Sequence, residues 1–181
     1  MIELRAFAID CRVSGQVELG EGRVTDMLNA SPELRFVDAR LDALDDGHAV
    51  HLPELEVGPG ELCAVVAAGS RGDPARRVRT YAIRIEVDLG PYHVEGAVHG
   101  TPTLDPLGST LRRAPWVPLT DVTVRYNEAG CLIREEVETL VVNRTLATKF
   151  RPLEVVSPLL PWEKPRAAPQ AGGHEVELTE L

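Results

Sequence analysis

The chain has 181 residues, enough for one domain or two small ones and enough to bury a core without disulfide or metal staples. Its 28 acidic and 19 basic residues give a net charge of −9, which weighs against a surface built to neutralise phosphates, so nucleic acid is not the expected partner. Three cysteines, Cys11, Cys63 and Cys131, are odd in number, far apart and never in C-x-x-C; this excludes a zinc framework or disulfide scaffold and is expected of small buried hydrophobes in a reducing compartment.

The first ten residues, M-I-E-L-R-A-F-A-I-D, carry charges at Glu3, Arg5 and Asp10 and lack the unbroken apolar run of a signal peptide. No apolar run approaches a membrane span, so the expectation is a cytoplasmic protein with no membrane partner. V-S-G-Q-V follows at 13–17, with a glycine where a strand bulges or bends sharply. V-T-D-M-L (24–28) places two apolar residues four apart, one face of a short helical turn. F-V-D-A-R-L (36–41) alternates as a half-buried strand, and D-D-G (45–47) has hairpin chemistry, since Gly accepts positive φ.

The pattern then returns. A-A-G-S-R-G-D-P-A-R-R (67–77) has linker composition. Y-A-I-R-I-E-V-D-L (81–89) puts Ile83, Ile85, Val87 and Leu89 on one face, and Gly90-Pro91 turns the chain into a second strand holding V-E-G-A-V (94–98). L-G-S-T-L (107–111) matches the helical turn, L-T-D-V-T-V (119–124) the strand with its aspartate in phase, and E-A-G (128–130) the hairpin. The spacing to the partner residue is 81 at the first glycine and a constant 83 from Val24 to Gly47. That period is a small domain's, not a solenoid's. The sequence therefore predicts an all-β protein made of two tandem small β-barrels or sandwiches, each with one short helix: unit 1 over 1–67, a linker over 68–78, unit 2 over 79–153. Short strands leave exposed edges, which the units would cover for each other or share in one sheet, or which a partner would cover.

Residues 154–181 are rich in Pro, Gly and Ala and read as an extended or disordered tail. Within it, Leu159, Leu160 and Trp162 are apolar anchors, and Val176 and Leu178 alternate with acids as a strand added to a sheet edge would.

The order G-x-V, then D-M-L-N (26–29), then L-x-D (Leu119, Asp121), then V-V-N-R-T-L (141–146) resembles the small barrels of the Sm-like class, and also uncharacterised bacterial domains with the same phrasing. That resemblance implies bent five-stranded barrels that assemble by pairing strand edges. Some members bind RNA through loops; here the acidic charge, and V-G-P-G-E-L (57–62) set against L-V-V-N-R-T (140–145), do not carry that over.

Candidate sites are few. Asp45, His48 and His51 are metal-ligand types, but they sit on a turn whose counterpart has no histidine. His93, Glu95 and His99 share one strand face by even spacing, and would centre a metal- or ligand-dependent enzyme if they converged. No nucleophile elbow, zinc-protease motif, P-loop or dinucleotide fingerprint occurs, and adjacent acids such as Glu135 and Glu136 point to opposite faces. Arg71, Arg76, Arg77 and Arg79 form the basic cluster, the basis of a nucleic-acid alternative. The leading expectation is a scaffold or adaptor without catalysis or cofactor, binding a protein partner or itself through its two units and tail.

Overall fold

The computed structural model describes residues 1–20, 22–67, 81–100 and 114–155. The strands are β1 (Ile2–Ala8), β2 (Cys11–Val17), β3 (Leu34–Ala43), β4 (Ala49–Val57), β5 (Leu62–Val66), β6 (Tyr81–Leu89), β7 (Tyr92–Gly100), β8 (Trp116–Glu128), β9 (Cys131–Asn143) and β10 (Lys149–Val155). Among the described residues one α-helix, α1 (Val24–Ala30), links β2 to β3, and a single 3-10 turn, Pro59–Glu61, precedes β5. No helix among the described residues is long and apolar enough to cross a membrane.

All ten strands join one open antiparallel sheet in the order β10-β6-β7-β8-β9-β5-β1-β2-β3-β4. Each half therefore has the same order, its fifth strand beside its first. Two small barrels or sandwiches were expected, with a shared sheet left open as the alternative; a single shared sheet forms. The physical reason lies in β5. One of its edges pairs with β1 and the other with β9, through Ala64↔Val142, Val65↔Val141 and Val66↔Leu140. With both edges occupied, β5 cannot close the first half upon β4.

The all-β reading holds, and so does the glycine reading, with an added cause. Gly15 faces two residues, Asp38 and Ala39, because the register shifts between Ser14↔Arg40 and Gln16↔Val37. Gly96 faces Asp121 and Val122 in the same way, between Glu95↔Thr123 and Ala97↔Thr120. The extra residue lies on the neighbouring strand, where Asp38 and Asp121 each adopt φ 51°. This bulge resets the phase of burial. β3 buries Leu34 and Phe36, then Ala39; β8 buries Val117 and Leu119, then Val122, Val124 and Tyr126. A Cβ on Gly15 would meet the Val37 carbonyl oxygen at 3.0 Å and the Ala39 Cα at 3.2 Å, so only glycine lets the strands approach here.

The turns follow their residues. Gly47 has φ 72°, and the β8–β9 turn uses Ala129 at 49° and Gly130 at 77°, the two positive values of a type I′ hairpin. The second hairpin is two residues longer, because Val122 pairs with Val137 where Ala39 pairs with Leu52, so structural correspondence after it runs at 85 rather than 83. A matching pair of turn bonds fixes this: Glu61 N–H donates to Gly58 O (2.9 Å), and Leu146 N–H donates to Asn143 O (3.2 Å). V-G-P-G-E-L thus corresponds to V-N-R-T-L-A, two residues later than the sequence match placed it. α1 matches the expected helical turn: Val24 and Leu28 are buried, and the Asp26 carboxylate accepts the Arg23 N–H at 3.1 Å. Its counterpart at 107–111 lies outside the described residues, as do the linker and the tail beyond Val155; the first two residues assigned to the tail, 154 and 155, end β10.

Two cores lie on either side of the central strands. One gathers Leu4, Val13, Phe36, Leu62 and Val65 with α1; the other gathers Ile85, Val94, Val124 and Tyr126. The seam strands serve both. Leu62 and Val65 face the first core while Cys63 and Ala64 face the second; Val141 faces the first while Leu140 and Val142 face the second. Strands buried on both faces read as continuous apolar runs, as L-C-A-V-V does. Each fully buried Val or Leu here contributes about 1.5–3 kcal/mol.

Candidate binding cleft

The strand ends of both halves meet at one rim. Leu44 of the β3–β4 turn donates its N–H to Asp10 O (2.9 Å) and accepts the Ala129 N–H at its carbonyl (2.8 Å), tying three turns together. Its side chain is buried in the second half's core. Beside it opens a cleft of about 540 Å³, lined among others by Ile9, Asp10, Cys11, Leu41, Asp45 and Val50. Its apolar wall is unusual in being open to solvent: Ile9 is 60% and Val50 43% exposed. Asp10 and Asp45 set an acidic rim, with His48 and Asn127 at the edge.

The cysteine lining the cleft, Cys11, is a poor nucleophile. Burial pushes the Cys11 thiol up to about 11, and the neighbouring Asp10 charge and hydrogen bond add to the shift. A thiol held protonated in this way reacts slowly at neutral pH. The turn acids have structural work: the Asp45 carboxylate accepts the Asp46 N–H (2.8 Å), and the Asp46 carboxylate accepts the His48 N–H (2.8 Å). Asp45, His48 and His51 do not form a metal grouping among the described residues.

Behind the cleft, a polar network and an aromatic cluster lock the halves. Arg12 donates to the Tyr126 hydroxyl (3.1 Å) and to Glu128 (2.5 Å), and lies 3.5 Å from Glu135 and 3.8 Å from Asp42. Tyr126 in turn donates to Glu135, which also accepts from Arg5 at 3.1 Å. Burial, then the bond to Glu135, pushes the Tyr126 phenol far above its ordinary range, so it stays neutral. Tyr92 donates its hydroxyl to Ala8 O (2.7 Å), and Phe7, Tyr92 and Tyr126 pack edge to face with centroids 5.1–6.1 Å apart.

Of the His93, Glu95 and His99 face, His93 and Glu95 approach each other, Nε2 to carboxylate at 3.6 Å, but His99 does not join them. His99 Nε2 lies 2.8 Å from the Thr120 hydroxyl. His93 Nδ1 lies 2.7 Å from Asp88, and Glu95 is ion-paired to Arg125. Six residues along one strand separate the two histidines by about 20 Å. Glu86, Asp88 and His93 do come together, within 4.8 Å of one another, a grouping the sequence reading missed because Glu86 and Asp88 lie on β6. Cations already fill it: Arg151 and Lys149 both pair with Glu86, and the Arg151 hydrogen bond holds the Glu86 carboxyl below its ordinary range.

The cysteines divide. Cys63 is buried and its thiol is pushed up to about 11 by burial, Cys11 is half-buried, and Cys131 is exposed. Buried thiols were expected at all three positions; Cys131 departs because it opens β9 directly after a two-residue turn. Arg71, Arg76, Arg77 and Arg79, and the tail anchors Leu159, Leu160, Trp162, Val176 and Leu178, lie outside the described residues. Comparison with protein-family models, curated proteins and solved structures returned no match.

Proposed function

We propose that the protein is a non-enzymatic interaction module, a scaffold or adaptor that takes an extended apolar segment, flanked by cations, into the cleft at the junction of its halves. One observation carries this reading: solvent-open Ile9 and Val50 stand in a cleft with Asp10 and Asp45 at its rim. Exposed apolar surface rimmed by polar groups is the usual mark of a partner site, and the acidic rim selects for positive charge. The tail contains a segment of this composition, L-L-P-W-E-K-P-R (159–166), with three apolar anchors ahead of Lys164 and Arg166. The tail is thus the tethered interaction segment of the reading, offered to a cleft of this kind on a second copy or a partner. The Sm-like character proposed for each unit rests on its five-strand order and its bend at the glycine.

The test uses a labelled synthetic peptide spanning 157–166, titrated with the full chain and followed by fluorescence anisotropy. Saturable binding, lost on Ile9→Asp, supports the reading. No binding, or binding indifferent to Ile9→Asp with the protein still folded, overturns it.

A further inference from the structure

The one edge-to-edge joint in this sheet, β5 with β9, has a counterpart at each free end. β10 occupies in the second half the place of β5, and β4 occupies in the first half the place of β9. Among the described residues the outer edges of β10 and β4 are unpaired. A third five-stranded unit would join by laying β10 of one copy along β4 of the next. The residues at the two places can be compared one by one.

At the seam, Ala64 meets Val142, Val65 meets Val141 and Val66 meets Leu140. The Ala67 N–H closes the joint on Thr139 O at 3.0 Å. The corresponding residues of β10 are Lys149, Phe150, Arg151 and Pro152, since Arg151 pairs with Glu86 where Val66 pairs with Arg5. Those of β4 are Val57, Glu56, Leu55 and Glu54, since Leu55 pairs with Phe36 where Leu140 pairs with Leu119. Every apolar pair of the seam would become mismatched: Lys149 on Val57, Phe150 on Glu56, Arg151 on Leu55. Pro152 has no N–H to replace the closing bond from Ala67. Lys149 and Arg151 are also held across the sheet face by Glu86 and Asp88. β4 carries a further proline, Pro53, within its span. Lysine, inward charge and proline are the means by which strand edges are kept from pairing.

We propose that the chain is a finished two-unit sheet, in which Lys149, Arg151 and Pro152 on β10 and Glu56 on β4 stop a second copy from extending it. Association of this protein then goes through the cleft and the tail and not through edge pairing.

The test restores seam chemistry at the stops: Glu56→Val, Lys149→Ala, Arg151→Val and Pro152→Ala in one full-length chain that also carries Ile9→Asp. The last change removes association through the cleft, so that failure of the cleft reading and failure of this one give different results. Mass is followed by light scattering against concentration, with circular dichroism to show folding. The Ile9→Asp parent is expected to stay at its single-chain 19.7 kDa, and the restored chain to grow into multiples of it. Should the fourfold variant not fold, Glu56→Val with Pro152→Ala alone is expected to give the same growth, only weaker. Growth of the parent, or folded restored variants that stay single, overturns the proposal.

Discussion

Replacing Gly15 by alanine tests whether the bulge is what brings β2 and β3 together. The new methyl would lie 3.0 Å from the Val37 carbonyl oxygen, 3.2 Å from the Ala39 Cα and 3.4 Å from the Asp38 carbonyl oxygen. All three are backbone atoms of a strand paired on both sides, with β2 and β4, so none can swing away. Ordinary contact begins near 3.4 Å, so the strand must give by a few tenths of an ångström. Overpacking of this kind costs about 1–3 kcal/mol. Alanine returns about 0.4–1 kcal/mol by narrowing the unfolded ensemble. The net expectation is a loss of about 1–2 kcal/mol, or a Tm lower by roughly 2–8 °C for a chain of this size. Gly20→Ala is the control: no atom lies within 4 Å of its added Cβ, and it should hold or raise Tm. The assay is thermal unfolding by circular dichroism. A Gly15→Ala Tm equal to that of Gly20→Ala would refute the steric reasoning.

Three further outcomes are expected. Cys131 should react rapidly with a thiol reagent in the native protein while Cys63 stays silent and Cys11 reacts slowly, read as one fast equivalent that Cys131→Ser removes. Arg12→Met should destabilise by about 1–2 kcal/mol, less than the loss of a fully buried pair because the side chain is 26% exposed, and should be measured by urea unfolding. Glu86 has its folded pKa lowered, chiefly by Arg151, so its contribution is present above the ordinary carboxylate value of 4.5 and is lost as pH falls through the lower folded value. Glu86→Gln should therefore reduce Tm at pH 7 and leave it nearly unchanged at strongly acid pH; an equal loss at both would show that the carboxylate charge is not the cause.

The strands were legible because their alternation is clean. Ile83, Ile85, Val87 and Leu89 are buried as the spacing requires, and Gly90-Pro91 turns the chain. The bulges were half legible. The glycine announced a bend, but the phase change is written in the opposite strand, as Leu119 followed by Val122 rather than by residue 121. Asp38 and Asp121 were seen as a matched pair without their left-handed conformation, which aspartate tolerates better than most residues. The shared sheet was open to the sequence but not decided by it, because apolar runs such as L-C-A-V-V fit a strand buried in a barrel as well as one between two cores. The cleft was illegible for a different reason. Ile9 and Val50 lie far apart in sequence, and each alone is an ordinary exposed apolar residue; only the meeting of the turns puts them in one wall.

The most direct measurement is an amide chemical-shift map of the full chain titrated with the 157–166 peptide. The expected result is a set of shifts confined to the cleft, around Ile9 to Cys11, the β3–β4 turn with Leu41 and Val50, and Asn127. Shifts along the outer edges of β4 or β10, or no shifts at saturating peptide, would contradict a binding site at the junction of the two halves.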